Sequence, residues 1–249
     1  MPVSITKTSK KISTSPLGVS GTARPVLGRI IGQLKALETL TVSSPLDETF
    51  LCRWRRVLDD IDIFQQQMIA GSDYSVTCTR GCATCCYHWV EDVNSFEAEI
   101  IADKIRRMFP HRVGEILRGC RDDCEELERL DVLVQNRLEE HDVRQSSGPA
   151  IDPVDLLLHV FYRLGRPCPL LDAEGCCMVY DERPLTCRMY LSFSDPIRCD
   201  PEYITTSSTS TFLVDLSESA NTILDRLHFA HMRFEGDTGL RSLLARYLA

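Results

Sequence analysis

The amino-acid sequence predicts a mostly α-helical protein, an irregular helical domain with a small β-hairpin and loop region. Most of the chain beyond residue 24 repeats its apolar residues at spacings of three and four, the period of an amphipathic helix. The two stretches that break this period, residues 78–86 and 168–199, are rich in cysteine, glycine and proline, which is typical of loops. Helix therefore follows helix, without the alternation of strands and helices that builds a parallel sheet.

The first 24 residues predict a disordered tail. They are rich in Ser, Thr and Lys, so they cannot bury enough apolar surface to offset the entropy lost on ordering. We expect residues 25–249 to form a single helical domain.

The first two helices follow from apolar periodicity and from turn residues. The spacing predicts one helix from Pro25 to Leu40. Ser44 as N-cap and Pro45 in the first turn predict the start of a second helix, which Gly71 ends.

Two further helices precede the second cysteine-rich stretch. Asn94 and Glu97 form a capping-box pattern, and Pro110 stops the helix that they begin. A long helix then ends near His141, and residues 145–149 predict a hinge or loop.

The helix after that loop has the clearest boundaries. Asp152 is its N-cap, Pro153 lies in its first turn, Ile151 is placed to contact Leu156, and Gly165 follows its last apolar residue. Residues 168–180 then predict a small hairpin with cysteines on both arms, and Pro184 predicts a short helical turn. An exposed strand or a loop is expected at 205–211, and two amphipathic helices at 217–234 and 239–248.

Composition and charge exclude several classes of function. The formal charge of −8 argues against nucleic-acid binding, which depends on clustered Lys and Arg. No stretch approaches the roughly 18 apolar residues of a membrane span, and the first residues lack the apolar region of a signal peptide. We expect a cytoplasmic protein, where thiols stay reduced and serve as metal ligands or catalytic groups rather than cystines.

Nine of the twelve cysteines fall in two short windows, residues 78–86 and 168–199, about eighty residues apart. Four thiols within nine residues suit a metal ion better than a packed core. Adjacent residues in an extended chain point to opposite sides, so Cys85 with Cys86, and Cys176 with Cys177, need irregular backbone to ligate one centre. Cys52, Cys120 and Cys124 lie instead on helical stripes, and we expect them to be buried packing residues.

The ordered motif Cys78-x3-Cys82-x2-Cys85-Cys86, Cys168-Pro169, Gly175-Cys176, Arg183-Pro184-x2-Cys187-Arg188 and Cys199 resembles the YkgJ-like CxxCxxCC family of cysteine-cluster proteins, which are described as zinc- or iron-chelating. The motif departs from the family name by one extra residue between its first two cysteines. The resemblance implies a helical fold around a cysteine-bound metal centre. The ligands that it implies are Cys78, Cys82, Cys85, Cys86, Cys168, Cys176, Cys187 and Cys199, whereas Cys177 has no counterpart.

Two arginines and one histidine accompany the cysteines. Arg183 and Arg188 flank Cys187, where they would donate hydrogen bonds to sulfur and offset thiolate charge, unless they are solvated or paired with carboxylates. His88, two residues beyond Cys86, is a candidate ligand or proton donor, or a loop histidine beside an aromatic residue.

Three functions remain open. The first is a metal-centre protein, with an iron–sulfur cluster of the [4Fe–4S] type favoured over zinc because of the surplus thiols. The second is an enzyme, either of the radical S-adenosylmethionine class, whose cluster loop the first window resembles, or a protein-lysine methyl-transferring enzyme, since flagellin lysine N-methylases resemble the same family. The third is a zinc-stapled scaffold that binds a protein partner.

Overall fold

A computed structural model of the chain describes residues 21–142, 152–204, 211–213 and 215–249. These residues form nine α-helices: α1 Ala23–Glu38, α2 Glu48–Ala70, α3 Ser95–Met108, α4 Val113–Asp142, α5 Pro153–Arg163, α6 Leu185–Met189, α7 Pro201–Ile204, α8 Glu218–Ala230 and α9 Leu240–Tyr247. Two short strands, β1 Tyr190–Ser192 and β2 Thr211–Leu213, pair antiparallel with Tyr190 opposite Leu213. The prediction of a mostly α-helical protein is confirmed.

Some predicted features lie outside the described residues. They are residues 1–20 of the tail, the loop at 145–149, Ile151 and residues 205–210. Helix α1 already begins at Ala23, within the last residues assigned to the tail. No helix in the described ranges has both the length and the apolar composition to cross a membrane.

Helices α1, α2 and α8 enclose the first core. Ile30 and Leu34 of α1 and Phe64 of α2 are fully buried in it. Trp54 of α2 meets Phe96 of α3 edge to ring, with the ring centroids 4.8 Å apart. These apolar stripes recur at helical spacing, as the sequence predicts.

The start of α2 differs from the prediction. The carboxylate of Asp47 accepts hydrogen bonds from Thr49 N at 2.8 Å and Phe50 N at 3.4 Å, so Asp47 is the N-cap. The hydroxyl of Ser44 accepts from Leu46 N in the preceding turn. A carboxylate is the stronger acceptor for the free amides of a helix N-terminus, which is why the cap moves three residues along the chain.

A second core joins α3, α4 and α9, with Ile101, Ile116 and Leu243 fully buried. A third lies under α4 and α5, where Trp89 meets Phe161 at a centroid distance of 5.3 Å. Cys168 and Cys177 pack against the second core, which places the second cysteine window beside α3, α4 and α9.

The predicted capping box of α3 is confirmed, and it also ties two elements together. Glu97 accepts a hydrogen bond from Asn94 N at 3.1 Å, and its other oxygen accepts from Leu185 N at 2.8 Å. Leu185 is the first residue of α6, the short helix that follows Pro184 as predicted. Burial raises the pKa of Glu97 to about 7.

The boundaries of α5 are confirmed. The carboxylate of Asp152 accepts from Val154 N at 2.9 Å, with Pro153 in the first turn. Gly165 follows the helix with φ of 64°, a left-handed conformation that costs glycine little.

The predicted hairpin at 168–180 is present in a minimal form. Leu171 and Cys177 form an isolated antiparallel bridge, and Asp172 N donates to Cys176 O at 2.9 Å. The chain reverses at Gly175, whose φ is 74°.

The three cysteines outside the windows behave differently from one another. Cys120 is fully buried in the second core, as predicted, and Cys124 is half-buried on the same face of α4. Cys52 is exposed, so its predicted burial is wrong. It lies two residues past the buried Phe50, which is roughly 200° around the helix and therefore on the solvent face.

Candidate metal centre

The fold brings the two cysteine windows into direct contact. Cys168 N donates a hydrogen bond to Cys86 O at 2.8 Å. At the other end of the first window, Thr77 N donates to Ser192 O at 2.9 Å, which ties the segment before Cys78 to β1. The expectation that both windows form one site therefore agrees with the backbone pairing.

Two glycine turns face each other where the windows meet. Gly81 and Gly175 both have positive φ, at 80° and 74°. A Cβ atom on Gly175 would lie 3.5 Å from Gly81 O, and one on Gly81 would lie 3.6 Å from Glu174 O. The glycines let each chain turn back on itself while the two turns stay in contact.

The first window carries its thiols on consecutive turns. Cys82 N donates to Thr79 O at 3.0 Å, and a 3₁₀ turn over Thr84–Tyr87 follows, in which Cys86 N donates to Ala83 O at 2.8 Å. In a 3₁₀ turn adjacent side chains are separated by about 120° rather than 180°. This turn is the irregular backbone that Cys85 and Cys86 need in order to face one cavity.

The second window supplies thiols from several short elements. Helix α6 presents Cys187, the hairpin presents Cys176 and Cys177, and a 3₁₀ turn over Pro196–Cys199 ends at the buried Cys199. None of these elements is long enough to be stable alone, so their position depends on packing against the surrounding helices.

A cavity of about 1020 Å³ lies between the windows. Besides the thiols, its wall includes His88, Arg183 and Tyr190. All eight cysteines implied by the family resemblance line it, together with Cys177: the full set is Cys78, Cys82, Cys85, Cys86, Cys168, Cys176, Cys177, Cys187 and Cys199. Over the described part of the chain, no three Cys, His, Asp or Glu side chains meet at the separations of a bound metal ion. The thiols are thus spread around the cavity wall.

Burial controls the protonation of these thiols. It raises the pKa of Cys168 and of Cys187, and it raises the pKa of both Cys177 and Cys199 to about 11. Such thiols keep their protons at neutral pH, because burial removes the water that would stabilise a thiolate.

Cys85 differs from the buried thiols around it. The thiol of Cys86 donates a hydrogen bond to the sulfur of Cys85, which lowers the pKa of Cys85 to about 7 and raises that of Cys86. Cys85 therefore ionises closer to neutral pH than the buried thiols around it, and a thiolate is the form that binds a cation.

Ser192 lies beside one cysteine of each window, Cys78 and Cys199. Its backbone N–H donates to Cys78 Sγ at 3.4 Å, its hydroxyl donates to Ser194 O at 3.1 Å, and its side chain opposes the effect of burial on the pKa of the neighbouring Cys199. Ser192 is fully buried. Sequence reasoning missed it, because a single serine after a short helix has no distinguishing pattern; only the β1 backbone brings it to both sulfurs.

The two flanking arginines have different surroundings. Arg183 lines the cavity and stacks on Tyr180 with its guanidinium carbon 4.0 Å from the ring centroid, and its buried Nε has no hydrogen-bond partner among the described residues. Its charge lowers the pKa of Cys85 and opposes the effect of burial at Cys187. Arg188 instead donates to both carboxylate oxygens of Asp62 at 2.7 Å and is 3% exposed.

His88 lies at the cavity wall with its ring nitrogen engaged. Its Nε2 is 2.7 Å from Cys199 O, and its ring lies against Tyr162. A carbonyl oxygen only accepts hydrogen bonds, so Nε2 carries the proton. Burial also lowers the pKa of His88, which favours the neutral ring.

The residues present fit a zinc or iron centre by the chemistry of their donors. Thiolate sulfur is the ligand that zinc and iron–sulfur clusters share. A cation in the cavity would stabilise the thiolates that burial otherwise disfavours, and Arg183 supplies a positive charge beside them.

Comparison with protein-family models agrees with this chemistry. Residues 77–209 match the CxxCxxCC model, whose description is "Putative zinc- or iron-chelating domain". The matched segment is just over half of the 249 residues and contains both windows. Neither the curated proteins nor the solved structures gave a significant match. The chain belongs to the CxxCxxCC family of zinc- or iron-chelating cysteine-cluster proteins.

Proposed function

We propose that the protein binds an iron–sulfur cluster of the [4Fe–4S] type through cysteines of both windows. The observation that carries this proposal is the lining of one cavity by nine thiols. A structural zinc site closes tightly around one ion with four ligands at about 2.3 Å. Nine thiols around about 1020 Å³ suit a larger, polynuclear centre better.

The candidate ligands are the eight cysteines of the family motif, and Cys177 joins them by its position in the wall. When bound, such a cluster supplies one-electron transfer at a potential set by hydrogen bonds to sulfur and by solvent exposure. Ser192 N–H donates to the sulfur of Cys78, and the surrounding helices keep Cys199 only 3% exposed.

Anaerobic purification followed by an absorption spectrum and metal analysis tests the proposal. A broad band at roughly 400 nm with stoichiometric iron and sulfide is the expected result. Colourless protein that holds zinc would replace the cluster with a zinc-stapled scaffold for a partner protein. Folded protein with neither metal would overturn both.

A second candidate is an enzyme that holds a substrate beside the metal. The cavity, at about 1020 Å³, reaches the upper end of ligand-pocket volumes, which run from roughly 300 to 1,000 Å³. Tyr180 and Leu171 add aromatic and apolar surface to its wall. The radical S-adenosylmethionine type is disfavoured by the scarcity of strands: the described residues contain only β1, β2 and one isolated bridge as extended structure. Incubation of reconstituted protein with dithionite and S-adenosylmethionine should yield 5′-deoxyadenosine if that type is correct, and none if it is wrong.

We also propose that the protein works in the cytoplasm. All twelve cysteines are free thiols, which is the state that a reducing compartment maintains. Cell fractionation tests this: recovery in an oxidising compartment would contradict it.

A further inference from the structure

One arginine far from the cysteine windows in sequence contacts the chain beside each of them. Arg241, in the first turn of α9, is only 1% exposed, the largest of the fully buried side chains. Its Nε donates to Asp123 of α4 at 2.8 Å, and its guanidinium carbon lies 5.6 Å from the ring centroid of Trp89 and 5.2 Å from that of Phe161. A buried charge is tolerated only when it is paired and its remaining donors are satisfied.

Each Nη atom of Arg241 donates to a backbone carbonyl next to one of the two windows. Nη1 donates to His88 O at 2.8 Å, and Nη2 donates to Arg166 O at 3.4 Å. His88 lies two residues after Cys86, and Arg166 lies two residues before Cys168. The guanidinium therefore bridges the segment that follows Cys86 and the segment that precedes Cys168, next to the hydrogen bond between these two cysteines.

Asp123 completes the arrangement. Its second oxygen accepts from Arg166 Nη1 at 2.9 Å. The carboxylate therefore joins Arg241 to Arg166, which lies two residues before Cys168. Asp123 is 4% exposed. Helix α9 is tied to the same region by Leu240 N, which donates to Val90 O at 2.9 Å.

We propose that Arg241 and Asp123 form a positioning pair that fixes the separation of the two cysteine windows, and that metal binding depends on this pair. The dependence of metal binding on this pair rests on the proposed metal-binding function. Arg241 lies beyond residues 77–209, the segment that matches the family model, so the site needs a helix that the family motif does not include.

The planar fork of arginine is essential to this role. It reaches one carboxylate and two carbonyls at once, whereas a lysine keeps the charge but loses the fixed geometry. Arg241→Lys therefore separates charge from positioning, and Arg241→Met removes both. Arg246→Met is the matched control, because Arg246 lies on the same helix, is 54% exposed and pairs with Asp237 at 3.1 Å.

The test has three readouts: hydrogen exchange, iron affinity and the absorption spectrum. Hydrogen exchange of the metal-free protein should accelerate in residues 86–90 and 166–170 for Arg241→Lys and Asp123→Asn, and stay unchanged there for Arg246→Met. Iron binding by the Arg241→Lys protein should weaken roughly 10- to 100-fold, as for other residues that orient metal ligands. The absorption spectrum of the cluster should also change. If the Arg241→Met protein does not fold, the same measurements on the Arg241→Lys protein decide the result.

The outcomes distinguish the two proposals. Wild-type exchange and wild-type iron affinity in Arg241→Lys would overturn the positioning pair while leaving metal binding intact. If the wild-type protein binds no metal, the proposed function fails, and faster exchange confined to the two segments would still support the positioning of the windows by Arg241.

Discussion

The backbone N–H of Cys168 donates a hydrogen bond to the carbonyl oxygen of Cys86 at 2.8 Å, and it joins segments about eighty residues apart. Metal held by both segments would restrain this long loop, and structural metal sites contribute on the order of 10 kcal/mol to folding. That is comparable to the whole stability of a typical domain. Loss of metal should therefore lower the free energy of unfolding and the melting temperature.

Replacement of a window cysteine tests this coupling. Cys82→Ala should reduce bound metal to less than about a tenth of the wild-type content and lower the melting temperature, because a ligand and its share of the folding energy are both lost. Metal analysis and thermal unfolding measure the two effects. Cys52→Ser, at an exposed position on α2, is the control and should change neither. Retained metal with an unchanged melting curve in Cys82→Ala would contradict the coupling.

The raised thiol pKa values predict a pH dependence of the metal-free protein. Cys177 and Cys199 have pKa values of about 11 in the folded state, against an ordinary value of 9.0. Between these values the unfolded chain binds fewer protons than the folded one, so the free energy of unfolding falls as pH rises from about 9 to about 11. Urea unfolding at several pH values measures the fall, which the Cys177→Ser and Cys199→Ser variants should reduce. A flat profile would show that burial does not hold these protons.

Arg183 and Arg188 should affect the cluster differently. Arg183→Ala removes a positive charge at the cavity wall. Without this charge the reduced state of the proposed cluster, which is the more negative state, is less stable. The midpoint potential should therefore fall, on the order of 50 mV or about tenfold in equilibrium constant. Arg188→Ala breaks an ion pair with Asp62 and should lower stability with little change in potential. Redox titration of both variants decides this, and an equal shift would place the two arginines in the same role.

Gly175→Ala should disturb the contact between the windows. Its φ of 74° is costly for a residue with a Cβ, at roughly 1–2 kcal/mol, and the added carbon would lie 3.5 Å from Gly81 O. We expect lower stability and weaker metal binding. Gly32→Ala is the matched control: Gly32 lies within α1 with nothing within 4 Å of the added carbon, so this change should stabilise by up to about 1 kcal/mol. Chemical unfolding and metal titration compare the pair; equal effects would count against the turn geometry.

Glu97 connects the N-terminus of α3 to α6, which carries Cys187. Glu97→Ala should cost about 2–4 kcal/mol, because it removes a capping box and leaves Leu185 N buried without its acceptor. Glu126→Ala removes a surface pair with Arg129 and should change the free energy of unfolding little. Urea unfolding measures both. A cost for Glu97→Ala no larger than that for Glu126→Ala would show that the Leu185 contact contributes nothing.

Local signals in the sequence were sufficient for much of the fold. Asp152 and the Asn94–Glu97 pair mark helix starts because their side chains satisfy amides within three residues. The turns at Gly81 and Gly175 are likewise local. Asp47 was missed because Ser44 offers a competing cap nearby, and the periodicity of α2 does not decide between them.

The parts of the site that the sequence could not predict depend on long-range contacts. Nothing in the sequence around Arg241 distinguishes it from other helix arginines, and only the packing of α9 on α4 brings it to Asp123. Ser192 reaches Cys78 through the backbone of β1. Cys177 lacks a counterpart in the family motif but shares the cavity with the other eight thiols. In each case the spatial neighbours are dozens of residues distant along the chain.

The burial of Arg241 has a consequence for the order of events during synthesis. Both cysteine windows leave the ribosome while residue 241 is still to be added, so the thiols are present in the cell before the guanidinium that spans them. A nascent chain with all nine window cysteines thus passes through an interval in which its thiols are exposed to adventitious metals and oxidants. Under our proposal that metal binding depends on Arg241, stable binding of the metal is then a late step that waits for α9 to dock.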